Sequence, residues 1–189
     1  LAASPGWDAA RAARDFDAFT DEVDYGFDVA RSVIDWSPGR RPEAREEVTI
    51  DAARGWQNTG LALTTGGTCA LAASGTVRLG ELTAPADAPA TTIESEADGI
   101  SLRWYRGRPI GRLLAAQWVE TPAGGGRPRF VVIGEGSEAA LTAAVDGPLY
   151  LKVNEPPGDL ADNRGAFSVT ITPGPRTRRP PGSAGSSGP

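Results

Sequence analysis

The stretch Leu149-Tyr150-Leu151-Lys152-Val153-Asn154-Glu155-Pro156-Pro157-Gly158-Asp159-Leu160-Ala161-Asp162-Asn163-Arg164-Gly165-Ala166-Phe167-Ser168-Val169-Thr170-Ile171-Thr172 reads as two strands around one stiff loop. Leu149, Leu151 and Val153 face one way while Tyr150, Lys152 and Asn154 face the other. Phe167, Val169 and Ile171 alternate likewise with Ser168, Thr170 and Thr172. A period of two puts successive side chains on opposite faces of a pleated strand. Moving outward, the same rhythm recurs at Val48 and Ile50, Leu61 and Leu63, Cys69, Leu71 and Ala73, and Val77 and Leu79. It returns at Ile100, Leu102 and Trp104, and Phe130 to Ile133 is a continuous apolar run. Turns fall at Thr65-Gly66-Gly67, Asp98-Gly99, Gly124 to Gly126, Gly134-Glu135-Gly136 and Asp146-Gly147-Pro148. Many short strands between Gly-rich turns predict an all-β, antiparallel β-sandwich over residues 46–173.

Upstream the period changes. Phe16, Phe19, Val23, Phe27, Ala30 and Ile34 are spaced by three or four, which predicts an amphipathic helix with Asp15, Asp17, Asp21, Glu22, Asp24 and Asp28 on its other faces. Ser4-Pro5 and Thr20 are two possible starts, and Ser37-Pro38-Gly39 is the stop. Residues 1–45 thus form an N-terminal helical segment and linker. Residues 174–189, rich in Pro, Gly and Ser, have nothing to bury and read as a tail.

Composition narrows the chemistry. Among 189 residues there are 24 Gly and 16 Pro, and no His at all. The missing imidazole excludes Ser-His-Asp and Cys-His nucleophile systems and His-ligated metals. The single Cys69 can form no internal disulfide, and its apolar neighbours make it a small core hydrophobe rather than a nucleophile. A net charge of −5 argues against nucleic acid or an anionic membrane surface as partner. No apolar run is long enough to span a membrane. The start at Leu1-Ala2-Ala3-Ser4, with no Met, suggests a mature exported chain or an excised piece, so a secreted or cell-surface location is expected. No pair among Glu94, Glu96 and Glu155 is singled out for glycosidase work, and a non-catalytic protein is expected.

The chemistry concentrates in the loop. Glu155, Asp159, Asp162 and Asn163 place four oxygen-bearing side chains within nine positions, on a backbone bent by Pro156, Pro157, Gly158 and Gly165. Calcium takes six to eight hard oxygen ligands, which such a loop could aim at one point. The same residues also suit an ordinary turn in which Arg164 pairs with the carboxylates. A second cluster, Arg103, Arg106, Arg108 and Arg112 with Trp104 and Tyr105, suggests a solvated hairpin pairing with the acidic helix or the Glu94 to Asp98 segment.

The segment from Leu149 to Thr172 resembles the C-terminal signature of the bacterial calcium-dependent galactose-binding lectins of the PA-I type. Asn154, Pro157, Gly158, Asn163, Gly165, Phe167, Ser168 and Val169 match it without a gap, and Leu71-Ala72-Ala73-Ser74-Gly75 with Leu79-Gly80 resembles an earlier strand and turn. The resemblance implies a jelly-roll-like sandwich binding a glycan or cell-surface polysaccharide through calcium. The implied metal ligands are the side chains of Glu155, Asp162 and Asn163 with the carbonyls of Asp159 and Leu79. The sugar would meet Glu155, Asp159, Asp162 and Asn163. Glu155 stands where that family has a shorter Asp, Asp162 replaces an Asn, and Arg164 adds a cation. The family's sugar-contacting His has no counterpart, so galactose specificity does not carry over, and Trp104, Tyr105 and Trp118 are alternative stacking faces or packing residues. The other reading is a structural, self-assembling surface protein, a homo-oligomer or filament built on the same sandwich without sugar binding.

Overall fold

The computed structural model describes residues 8–82 and 91–175. After one helix, α1 (Ala9–Glu22), the strands are β1 (Glu46–Asp51), β2 (Gln57–Leu63), β3 (Thr68–Ser74), β4 (Val77–Leu82), β5 (Thr91–Ser95), β6 (Ile100–Tyr105) and β7 (Arg108–Ile110). There follow β8 (Leu113–Val119), β9 (Arg129–Glu135), β10 (Glu138–Thr142), β11 (Gly147–Val153), β12 (Asn163–Arg164) and β13 (Ala166–Pro173). Two four-stranded antiparallel sheets, ordered β1-β13-β3-β10 and β2-β11-β8-β9, form a sandwich. A smaller β12-β4-β5 sheet and the β6-β7 hairpin lie beside it. The interior joins Ile50, Leu71, Leu141, Phe167 and Ile171 of one sheet to Leu61, Leu113, Leu149 and Leu151 of the other. Register explains the alternation: Ile50 pairs with Phe167 and Ile171 with Leu71, so the apolar set of each strand lands on one face. Cys69 is buried here, and burial pushes its thiol up to about 11.

The N-terminal segment departs from the expected helix of residues 16 to 34. Asp8 caps α1, its Oδ1 accepting from the amides of Ala10 and Arg11 at 3.0 and 3.2 Å. Thr20 lies inside the helix and Ser4-Pro5 lies outside the described residues. The helix ends at Glu22, where Val23 leaves helical geometry at ψ 128° while its N–H still donates to the Phe19 carbonyl; Gly26, at φ 77°, turns the chain further on, and the rest runs irregularly to Arg40. The buried face is also different: Ala18 and Glu22 pack inward, while Phe16, at 64% exposure, and Val23 do not. Phe19 and Phe27 still meet, edge to face at 5.0 Å, across the turn.

This arm covers the outer face of the β2-β11-β8-β9 sheet. There Tyr150, Phe130, Leu114, Ala116 and Trp56 form a second apolar cluster, closed by Ala18, Ile34 and Trp36. Trp36 sits between rings, 5.1 Å from Trp118 and 6.1 Å from Phe130. Arg40 then bridges to the edge of the sheet, donating to the Gly60 carbonyl and accepting from Ala62. No helix among the described residues is long and apolar enough to cross a membrane.

Candidate functional site

At the end of β11, Asn154 is buried and its amide donates to the carbonyls of Tyr105, Arg108 and Pro109 at 2.9–3.1 Å. That bond set fixes the start of the loop against the β6-β7 hairpin. Glu155 follows, fully buried, and its Oε2 accepts from Asn163 Nδ2. Asn163 Nδ2 also donates to the Ala52 carbonyl at 3.0 Å, which uses both of its hydrogens. Glu155 Oε1 and Asn163 Oδ1 are left buried with no hydrogen-bond partner among the described residues. Burial pushes the Glu155 carboxyl up to about 7; the Asn163 bond and Arg103 oppose this, and Asp159 and Asp162 add to it.

Asn163 pairs with Leu79 in the β12-β4 ladder. The ladder between β4 and β5 shifts register between Arg78 and Glu81, and Gly80 sits there at φ 84°. A side chain at Gly80 would overlap the Asp162 carboxylate, so Asp162 lies directly against this bulge. Four of the five expected ligands, Leu79, Glu155, Asp162 and Asn163, thus gather at one end of the sandwich. The Asp159 side chain turns away to Arg103 at 2.7 Å. Among the described residues Arg164 pairs with no carboxylate; it donates to the carbonyls of Ala161 and Asn163 at 3.0 and 2.6 Å. Among the described residues no three acidic, His or Cys side chains converge in the manner of a metal cluster. The donor atoms are nevertheless all hard oxygens, and two buried ones are orphaned, which fits a calcium ion better than a softer metal.

Sequence reasoning missed what covers this loop. Asp28 N–H donates to the Pro157 carbonyl at 3.1 Å, and any side chain at Gly158 would run into the Tyr25 carbonyl. The N-terminal arm therefore lies across the loop. Gly26, set inside the apolar stripe with a left-handed φ of 77°, is a local sign that one helix does not run from Phe16 to Ile34. The aromatic candidates separate as well. Trp104 is 62% exposed on the β6-β7 hairpin, not packed as its strand rhythm suggested, whereas Tyr105 and Trp118 are packing residues. The arginines find carboxylates: Arg106 meets Asp21 and Glu22 of α1, and Arg108 and Arg112 share Glu135.

The arrangement is an all-β antiparallel sandwich with an oxygen-rich loop at one end. No family model matches the chain, and no curated protein matches it. Among solved structures it is similar to one described as "EclA N-terminal domain; PllA-like lectin", at 23% identity and a TM-score of 0.43, over 70% of this chain and the whole of that one.

Proposed function

We propose that the chain is a non-catalytic carbohydrate-binding module that acts outside the cell, with the loop of residues 153–164 as its site. The observation that carries this reading is the pair of orphaned buried oxygens, Glu155 Oε1 and Asn163 Oδ1. A buried polar atom without a partner costs on the order of 1–3 kcal/mol, more if charged, and a divalent cation would satisfy both at once. Glu155, Asn163 and Asp162 with the Leu79 and Asp159 carbonyls would hold calcium, which supplies a Lewis-acidic point for two neighbouring sugar hydroxyls. Glu155 is sealed from solvent, so its part is with the metal; Asp162, which is exposed, would meet the glycan, while the Asp159 side chain is taken by Arg103. Calorimetric titration with calcium tests this, with Asp162→Ala/Asn163→Ala as control. Heat from the wild type alone, together with chelator-sensitive signals on a glycan array, is the expected result. A wild type as silent as the control removes the metal and the sugar site with it.

A second reading, self-assembly, is favoured by the exposed Phe16, Val23, Val29 and Val33 of the arm, an apolar surface a second copy could cover. The tail from Arg176 on lies outside the described residues. Light scattering across micromolar concentrations decides this point: a monomer throughout rejects assembly.

A further inference from the structure

Glu22, the last residue of α1, reaches out of the arm into a set of donors that all belong to the sandwich. Its Oε2 accepts from Lys152 Nζ at 2.5 Å, and its Oε1 accepts from Trp56 Nε1 at 3.3 Å and faces Arg106 Nη1 at 3.5 Å. These donors come from three places in the fold: β11, the turn before β2, and the β6-β7 turn. Lys152 is buried, and its ammonium stands 5.6 Å from the ring centres of both Trp56 and Tyr105. A cation so placed needs an anion, since a buried charge left alone is costly. Arg106 and Gly107 are the two central residues of the tight β6-β7 turn, with φ of 50° and 75° as such a turn requires, and the turn sets the Arg106 guanidinium beside Glu22.

The space around Glu22 is also unusual. A cavity of about 360 Å3 opens between α1, the rest of the arm and the sandwich, walled by Phe16, Phe19, Phe27, Val29 and Val33. Ser32 also lines it, and its hydroxyl has no hydrogen-bond partner among the described residues. A second cavity, about 270 Å3, lies on the cationic side with Arg106, Arg108 and Arg129. Glu22, Trp56 and Lys152 are walls of both. The Glu22 carboxylate is therefore a partition between an apolar chamber and a basic one. The apolar chamber has the size of a small-ligand pocket.

We propose that Lys152, Arg106 and the Trp56 indole form a carboxylate receptor on the sandwich, that Glu22 is its built-in occupant, and that a small amphipathic carboxylic acid displaces Glu22. The ligand's carboxylate takes the place of Glu22 on Lys152, and its apolar body fills the chamber under Phe16, Phe19 and Phe27. A neutral sugar suits neither half. This site adjoins the loop of residues 153–164, since Pro157 lines the apolar chamber and Asn154 the basic one, but Lys152, Arg106 and Trp56 are none of the residues proposed for calcium, so calcium binding there neither supports nor removes it.

The test is a titration of the full chain with octanoate and with octanamide, followed by the Trp56 indole N–H signal in a two-dimensional NMR spectrum, assigned with Trp56→Phe. Octanoate should move the signal saturably and octanamide should not. Glu22→Gln keeps size and hydrogen bonding but removes the competing charge, and should tighten octanoate about tenfold or more. Lys152→Met should abolish the response. Arg106→Gln, on the partly exposed hairpin turn, removes positive charge with less risk to folding and should weaken octanoate. Equal responses to acid and amide, Glu22→Gln binding no tighter than wild type, or undiminished binding in Arg106→Gln would each overturn the proposal.

Discussion

Glu155 holds its proton to near neutrality because burial strips water from a carboxylate that only Asn163 serves. Its pKa in the folded chain, about 7, lies above its unreacted value of 4.5. The folded state therefore binds the proton more tightly between those values, so the contribution of Glu155 to stability is fully present below about pH 4.5 and is lost as pH rises through 7. In chelator, thermal unfolding of the wild type should thus weaken from pH 5 to 8, by on the order of 1–3 kcal/mol. Glu155→Gln should flatten that profile. Calcium at pH 8 should restore the loss in the wild type and not in the variant, since a cation bound only by the folded state stabilises it by mass action. A wild type with no pH dependence across that window would mean that Glu155 is neutralised some other way. Glu22 shows the opposite outcome from another buried position: burial works to raise its pKa, but Lys152, Arg106 and the Trp56 indole outweigh it and hold it below the ordinary value. One carboxylate was given cations by the fold and the other was not, and that difference makes the Glu155 loop the better cation site.

Period-two alternation made the strands legible because each has one face in a common core. Val169 pairs with both Val48 and Ala73, and a one-residue slip would turn its apolar side chain out of the core. The helix was misread for a physical reason. Apolar residues at three- and four-residue steps from Phe16 to Ile34 satisfy a helical pattern, but pattern does not weigh the Gly26 turn or the sheet face that draws Ile34 and Trp36 onto it. The side chains on the other face of β11, Tyr150 and Lys152, are also buried, because the arm covers them. Likewise the loop chemistry was legible as a list of oxygens, whereas the turn of Asp159 to Arg103 and the Tyr25–Gly158 contact needed the third dimension. Gly158→Ala tests that contact. The new methyl group meets backbone, which cannot swing aside, so the arm must shift; a loss of about 1–3 kcal/mol is expected. Limited proteolysis should cut faster between Val23 and Ile34, and unchanged cleavage would show that the arm does not rest on the loop. Asp8→Ala should cost about 1 kcal/mol through loss of the two capping bonds, read by chemical denaturation.

At the scale of the molecule the arm and the sandwich are held together by a few unlike contacts. Ile34 and Trp36 bring the apolar part; the Glu22–Lys152 pair brings the buried charge; Arg14 reaches Glu120 at 3.0 Å; and Asn58 donates to the carbonyls of Asp35 and Ser37 at 3.0 and 2.7 Å. The sandwich, by contrast, closes its own interior from both sheets without any residue of the arm. Local opening follows the distribution of buried contacts, so the arm should open at lower free energy than the strands. Ile34→Ala/Trp36→Ala sharpens this expectation, because it removes arm packing and leaves the inter-sheet core intact. Hydrogen exchange should then quicken at arm amides such as Ser32 and Arg40 by the several kcal/mol that buried large-to-small changes cost, while amides of β3 and β13 keep their protection. Opening of the arm also uncovers Trp56, Phe130 and Tyr150, so a dye that binds exposed apolar surface should brighten before the strands melt. If protection falls equally in the arm and in β3, the two unfold as one cooperative unit, and neither the covered loop nor the Glu22 receptor can open without loss of the fold.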